Sequence, residues 1–262
     1  MKILIKIGSA LISSGDRINY AWLERKVKEI AAMHHRGHSL VIVSSGAVAA
    51  GMELQLLSER PKDPLELQLL SGIGQIKLMK YYKDLFRQED ITIAQILLTH
   101  HNFASARERS TIHQIMRSYL DRGIVPIVNE NDMVDKEELE YKRTFTDNDI
   151  LAALVAVNVR VDCAVILTDV EGLFVGDPKR DASARFIAEV DRVTPDIKKM
   201  ASRETNALGL GGMKSKVQAA EMITTKGIDT IIACGEHPMD DIMEGRVART
   251  YFHRSDTEVT SS

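Results

Sequence analysis

Short β-branched runs alternate along the chain with longer stretches in which apolar residues recur every three or four positions. A run of four to eight such residues suits a strand buried in a parallel sheet, and the three- and four-residue spacing suits a helix that covers it. The strands are expected at Ile3 to Ile7, Ser39 to Ser44, Ile91 to Leu98, Ile124 to Val128 and Cys163 to Leu167, with a sixth at Thr230 to Ala233. Helices are expected at Tyr20 to His35, Leu65 to Leu85, Ser110 to Asp121, Asn148 to Val157 and Ser215 to Thr225. Strand and helix in alternation imply βαβ units, so the predicted fold is α/β: a three-layer α/β/α sandwich with a mostly parallel central sheet. No repeat or Pro/Gly/Ser-rich linker divides the chain. Residues 1–253 therefore read as one domain, and 254–262 as a polar C-terminal tail. Glu59 to Pro64 reads as a helix connector, and Asp135 to Arg143 (DKEELEYKR) as a charged, solvated hairpin or flap.

Composition narrows the function classes. With 44% hydrophobic and 27% charged residues, the 262-residue chain has the make-up of an ordinary folded globule. A net charge of −3 with both signs interspersed offers no basic stripe for a phosphate backbone, so nucleic acid is an unexpected partner. Cys163 and Cys234 each lie in an apolar run and read as buried thiols of a reducing, cytoplasmic compartment. They do not read as a disulfide or a zinc site, and no metal ligands are assigned. The apolar start is interrupted by Lys6, and Ile150 to Val170 is broken by Asn158, Arg160 and Asp162, so no membrane span or signal segment is expected.

The chemistry gathers where predicted strands end, the edge at which open α/β sheets bind ligands. The first strand runs into Lys6, Ile7, Gly8, Ser9, which pairs a point charge with a close backbone approach. The second ends in SSGAVAAG, so Ser45, Gly46 and Ala47 offer backbone N–H groups where a helix begins. The fourth runs into NENDMV, and TDND follows at Thr146 to Asp149. The fifth closes on Thr168 and Asp169, and Gly209 to Lys216 reads GLGGMKSK. Any one cluster could be a turn or a helix cap, and Asn148 and Asp149 could be first-turn residues. Five clusters on one edge are a different matter. GLGGMKS is not a GxxxxGK[ST] loop, no strand leads into GxGxxG, and no histidine pair has HExxH spacing. His100 and His101 read as structural or surface residues.

IKIGS, VSSGAVAAG, LLSGIGQ (Leu69 to Gln75), ILLT, VPIVNEND, TDND, LTDVEGLF, Asp177-Pro178, GLGGMKSK and GIDTIIACG occur in an order that resembles the amino acid kinase family. Within it they resemble the branch that phosphorylates glutamate on its side-chain carboxylate. The resemblance runs from Lys2 to His253, and NEND followed by DND is its most specific part. It implies ATP and Mg²⁺ as cofactors, and L-glutamate as substrate. It also implies a homo-oligomer, feedback inhibition by proline, and glutamate-5-semialdehyde dehydrogenase as the downstream enzyme of proline synthesis. Carried onto this sequence, it makes Lys6, Lys216 and Asp149 catalytic. It gives the nucleotide to Lys6, Gly8, Ser9, Thr168, Asp169, Leu210, Gly211, Gly212, Met213, Lys214, Ser215 and Lys216. The amino acid falls to Ser45, Gly46, Ala47, Asn129, Asp132 and Asn148. Ala10, Lys214 and the segment STIHQIM (Ser110 to Met116) depart from the family pattern. A form without a C-terminal PUA domain is expected. Two rivals remain at this point: the same fold acting on another small acid or a nucleoside monophosphate, and a sensor that binds without turnover.

Overall fold

A computed structural model describes residues 1–14, 17–134, 148–176, 184–202 and 212–255. The strands are β1 (Lys2–Ile7), β2 (Ser13–Ser14), β3 (Arg17–Ile18), β4 (Ser39–Ser44), β5 (Ile93–Leu98) and β6 (Val125–Glu130), followed by β7 (Cys163–Thr168), β8 (Leu173–Val175), β9 (Arg185–Ile187), β10 (Glu189–Val190), β11 (Asp229–Cys234) and β12 (Arg249–Phe252). The helices are α1 (Ser9–Ile12), α2 (Tyr20–His35), α3 (Ala47–Leu54), α4 (Pro64–Gln88), α5 (Ala106–Asp121), α6 (Asn148–Val159), α7 (Pro195–Ala201), α8 (Met213–Thr224) and α9 (Met239–Glu244), with a 3₁₀ turn at His100–Phe103.

One eight-stranded sheet runs in the order β10-β12-β11-β7-β1-β4-β6-β5. Strands β1, β4, β5, β6, β7 and β11 are parallel, and β12 pairs antiparallel with β11. The predicted sandwich is borne out. The chain leaves β1 for β4 on one side and later returns to β7 on the other, so β1 sits where the winding reverses. Ligands bind at such a switch point in open α/β sheets.

Strand alternation decides what faces what. Ile3, Ile5 and Ile7 point into the layer built by α2, α4 and α9, while Leu4 points into the opposite layer with α5, α6 and α8. Lys6, two residues on from Leu4, shares Leu4's face and therefore looks toward α6 and α8. On β6, Val125 and Ile127 join the α4 layer, and Asn129 follows them onto that face.

The helices begin where side chains can cap them. Asn19 accepts the Trp22 N–H at 3.3 Å to open α2, and Asp63 accepts the Glu66 N–H at 3.3 Å ahead of Pro64 to open α4. Helix α3 crosses α4 very closely, because a Cβ on Gly74 would collide with the Ala47 carbonyl oxygen and one on Gly51 with that of Leu70. Strand β5 starts at Ile93, two residues later than expected, and α8 starts at Met213, two residues earlier. The connector expected at Glu59 to Pro64 falls between α3 and α4, except that Pro64 is already the first residue of α4. The flap at Asp135 to Arg143 lies outside the described residues, as does the tail beyond Ser255.

Candidate active site

At the C-terminal end of β1, Lys6 reaches the first turn of α6 and forms an ion pair with Asp149 Oδ1. Lys216, on the first turn of α8, donates to Asp149 Oδ2 at 3.0 Å. Lys6 is 3% exposed, Asp149 0% and Lys216 5%. Ser215 Oγ lies 2.9 Å from both Asp149 Oδ2 and the Gly212 carbonyl, which share its one hydroxyl hydrogen. Burial on its own would raise the Asp149 pKa, but the ammonium groups of Lys216 and Lys6 outweigh it and hold the carboxylate well below its usual range. Two buried ammonium groups thus converge on one carboxylate, which fixes where both of them stand.

Gly8 follows directly. Its N–H donates to the Leu167 carbonyl at 3.2 Å, and a Cβ there would stand 2.9 Å from that oxygen and 3.9 Å from Lys6 Nζ. Gly8 thus serves close packing beside the lysine, with its own donor spent on the β7 backbone. Ser9 opens α1 and is exposed.

The neighbouring residue, Asn148, reaches the other way. Its Nδ2 lies 3.0 Å from Ser45 Oγ, 3.2 Å from the Ser44 carbonyl and 3.4 Å from Asn129 Oδ1, while its Oδ1 is buried with no hydrogen-bond partner among the described residues. Asn129 Nδ2 in turn donates to Gln75 Oε1 on α4 at 2.8 Å. Gly46 caps α3 at φ +102°, a left-handed conformation suited to glycine, and a Cβ there would press on Ile12 at 3.0 Å. Ala47 begins the helix, as expected. Adjacent residues of α6 thus join a lysine-lined half to an amide- and hydroxyl-lined half across one sheet edge.

Asp132 lies just past β6 and is anchored to α4. Ser71 Oγ donates to its carboxylate, Gln68 Nε2 donates to its carbonyl at 2.9 Å, and the Arg60 charge acts on it. Sequence reasoning did not assign Ser71, Gln75 or Arg60, although Ser71 and Gln75 both fall inside the recognised LLSGIGQ stretch. That stretch was the available signal.

On the far side of β1, Thr168 ends β7 and its hydroxyl donates to Asp169 Oδ1 at 3.3 Å. The Thr168 carbonyl receives the Gly235 N–H at 2.8 Å, which ties the β7 and β11 exits together. Of the glycine-rich segment, Leu210 and Gly211 lie outside the described residues. Gly212 caps α8, and Met213 points into the core. Lys214 is exposed, whereas Lys216 is buried two residues later on the turning helix. Both cysteines are buried and free, and burial pushes the Cys163 thiol up to about 12. Among the described residues, no helix is long and apolar enough to cross a membrane.

Comparison with known proteins agrees with this arrangement. Residues 1–234 match the model of the amino acid kinase family. Glutamate 5-kinase of Sodalis glossinidius is 38% identical over 254 residues, a match that covers 96% of this chain and 68% of that protein. The glutamate 5-kinase of Carboxydothermus hydrogenoformans is 37% identical over 255 residues with the same two coverages. Among solved structures, carbamate kinase from Giardia lamblia bound to AMP-PNP superposes with a TM-score of 0.67 at 16% identity, covering 97% of this chain and 98% of the other. UMP kinase from Bacillus anthracis reaches a TM-score of 0.63, also at 16% identity, over 97% of this chain and 96% of the other. At that identity the structural likeness speaks for the fold, while the family match and the two relatives speak for descent. The chain belongs to the amino acid kinase family.

Proposed function

We propose that this chain transfers the γ-phosphoryl group of ATP to the side-chain carboxylate of L-glutamate, giving glutamyl 5-phosphate and ADP. The observation that carries the reading is the buried Lys6–Asp149–Lys216 cluster, in which two ammonium groups are held on one carboxylate at the end of β1. The relatives that carry the same name-giving activity over nearly the whole chain support the choice of acceptor.

The acceptor carboxylate is ionised at neutral pH, so no general base has to take a proton from it. The obstacle is the approach of two anions. Lys6 and Lys216 neutralise charge that builds on the transferred group, in a site dry enough for each interaction to be strong. Asp149 accepts from both lysines and fixes where their ammonium groups stand, which spares reorganisation during transfer. Asn148, Asn129 and Ser45 hold the amino acid end. Asp132, braced by Ser71, takes the substrate ammonium. Thr168, Asp169 and the segment from Gly212 to Lys216 take the nucleotide side. Mg²⁺ would come with ATP and would supply further neutralisation of phosphate charge.

The kinase domain in this reading spans residues 1–253 and works in the cytoplasm as a homo-oligomer. Proline shares the ammonium and carboxylate of the substrate and competes at the same end. The acyl phosphate product is labile, so a reductase, glutamate-5-semialdehyde dehydrogenase, consumes it. A coupled ADP-release assay with glutamate, N-acetylglutamate, aspartate, carbamate and UMP tests the reading. Turnover with glutamate far above the others is expected. A preference for UMP or carbamate, or nucleotide binding without turnover on any acceptor, would refute it.

A further inference from the structure

One cluster at the nucleotide edge takes no part in the chemistry above. Cys234 ends β11, His237 follows three residues later, and Glu171 comes from the turn after β7. Their ligand atoms lie within 4.8 Å of one another. His237 Nε2 and Glu171 Oε2 are 2.6 Å apart. We propose that Cys234, His237 and Glu171 form a binding site for a borderline divalent cation of the Zn²⁺ type, with a fourth position left open to water.

Thiolate, imidazole and carboxylate are the donor set that such ions prefer, and Cys-x-x-His is a spacing at which two ligands converge from one turn. Tetrahedral zinc holds such donors about 3.4–3.6 Å apart, given its bond lengths to N, O and S. The Glu171 side chain is 41% exposed, so it has room to open the 2.6 Å contact by that amount. Burial pushes the Cys234 thiol pKa up, the Glu236 backbone N–H works against that, and the carboxylates of Glu171, Glu236 and Asp169 add to the rise. The same carboxylates that disfavour a bare thiolate favour a cation beside the sulfur.

The loop that carries two of the ligands is fixed independently of any ion. Trp22 Nε1 donates to the Gly235 carbonyl at 3.2 Å, and the buried Lys26 ammonium donates to the His237 carbonyl at 2.7 Å. The Met239 N–H meets Glu29 at 3.1 Å. A side chain at residue 235 would run into Leu11, so the glycine of Cys-Gly-Glu-His has a packing reason. Helix α2 thus preorganises the turn, and binding has little ordering left to do. The ion displaces the thiol proton to solvent as the sulfur–metal bond forms.

The test uses the full chain, reduced with a phosphine and freed of metal. Zn²⁺ is expected to bind one per chain by calorimetry and to raise Tm, whereas Mg²⁺ at the same concentration leaves Tm where it was. Co²⁺ is expected to give the thiolate-to-metal charge-transfer absorption of a Co–S bond. Cys234→Ser and His237→Ala should each weaken Zn²⁺ binding by at least about tenfold, since even the loss of an outer-shell partner costs that much. Glu171→Gln, an exposed change that leaves the fold alone, should weaken it too. Native circular dichroism in each variant shows that a lost site is not a lost fold. No Zn²⁺ binding, or binding and a Co²⁺ spectrum unchanged in Cys234→Ser, would overturn the proposal. Kinase activity is not a readout, so the result stands apart from the function proposed above.

Discussion

Replacing Asp149 by asparagine keeps the side chain's size and removes its charge. In the folded protein that leaves two ammonium groups, each at most 5% exposed, facing a neutral amide. Breaking a buried ion pair by removing one partner costs about 3–5 kcal/mol, because the remaining charge stays out of water. For a chain of 262 residues each kcal/mol corresponds to roughly 2–4 °C in Tm. Asp149→Asn should therefore lower Tm by roughly 10 °C. ATP supplies phosphate oxygens that replace part of the lost negative charge, so MgATP should raise the variant's Tm more than the wild type's. Turnover should fall by about 10²-fold or more, the cost of losing one preorganised electrostatic element. The pH dependence has a definite sign. The folded carboxylate has a depressed pKa, so its contribution is complete above the unfolded value near 3.9 and is lost as pH falls toward the folded one. The stability gap between wild type and variant should then narrow below about pH 4. Differential scanning fluorimetry with and without MgATP, urea titrations across pH 3–7, and steady-state kinetics check each part. A variant within about 2 °C of wild type with near-normal kcat would refute the reasoning. So would a gap that widens on acidification.

Lys6→Ala or Lys216→Ala should each lower kcat by about 10²-fold or more while circular dichroism stays native, and near-normal kcat in either would remove it from the phosphoryl site. Asp132→Ala should raise the glutamate KM by about 10–150-fold, the worth of a charge-assisted bond of about 1.5–3 kcal/mol, with the ATP KM unchanged. Proline inhibition should weaken in parallel, and equal losses for ATP and glutamate would make Asp132 a structural residue braced by Ser71 and Gln68. Gly74→Ala should destabilise by at least about 2 kcal/mol despite alanine's better helix propensity, because its Cβ has no space against Ala47. A urea midpoint equal to wild type at unchanged m would show that α3 and α4 part easily.

Local pattern carried much of this protein. Apolar runs of strand length and helical spacing are properties of neighbours in the chain, so β1, β4, β7, β11 and the 20–35 helix were legible with ends within a residue of those observed. The gathering of Lys6, Ser45 and Thr168 where strands end was legible too, because parallel strands send every C-terminus to one edge, whereas Asp149 and Lys216 stand on the first turns of α6 and α8. The short antiparallel β12 was not, since four residues carry little pattern and their place depends on pairing with β11.

What only the tertiary structure decided is which of these groups meet. Lys6 and Asp149 are 143 residues apart in sequence, and their contact rests on the pleat that turns Lys6 toward α6 and on the packing of α6 against β1. Helical rotation then separates Lys214, which faces outward, from Lys216, which faces Asp149, although one glycine-rich motif holds both. Glu171 joins Cys234 and His237 only because β7 and β11 lie side by side. Sequence read along the chain named the chemical groups and the edge; distances between them, and the burial that strengthens the two lysines' hold on Asp149, come from long-range packing that no local pattern encodes.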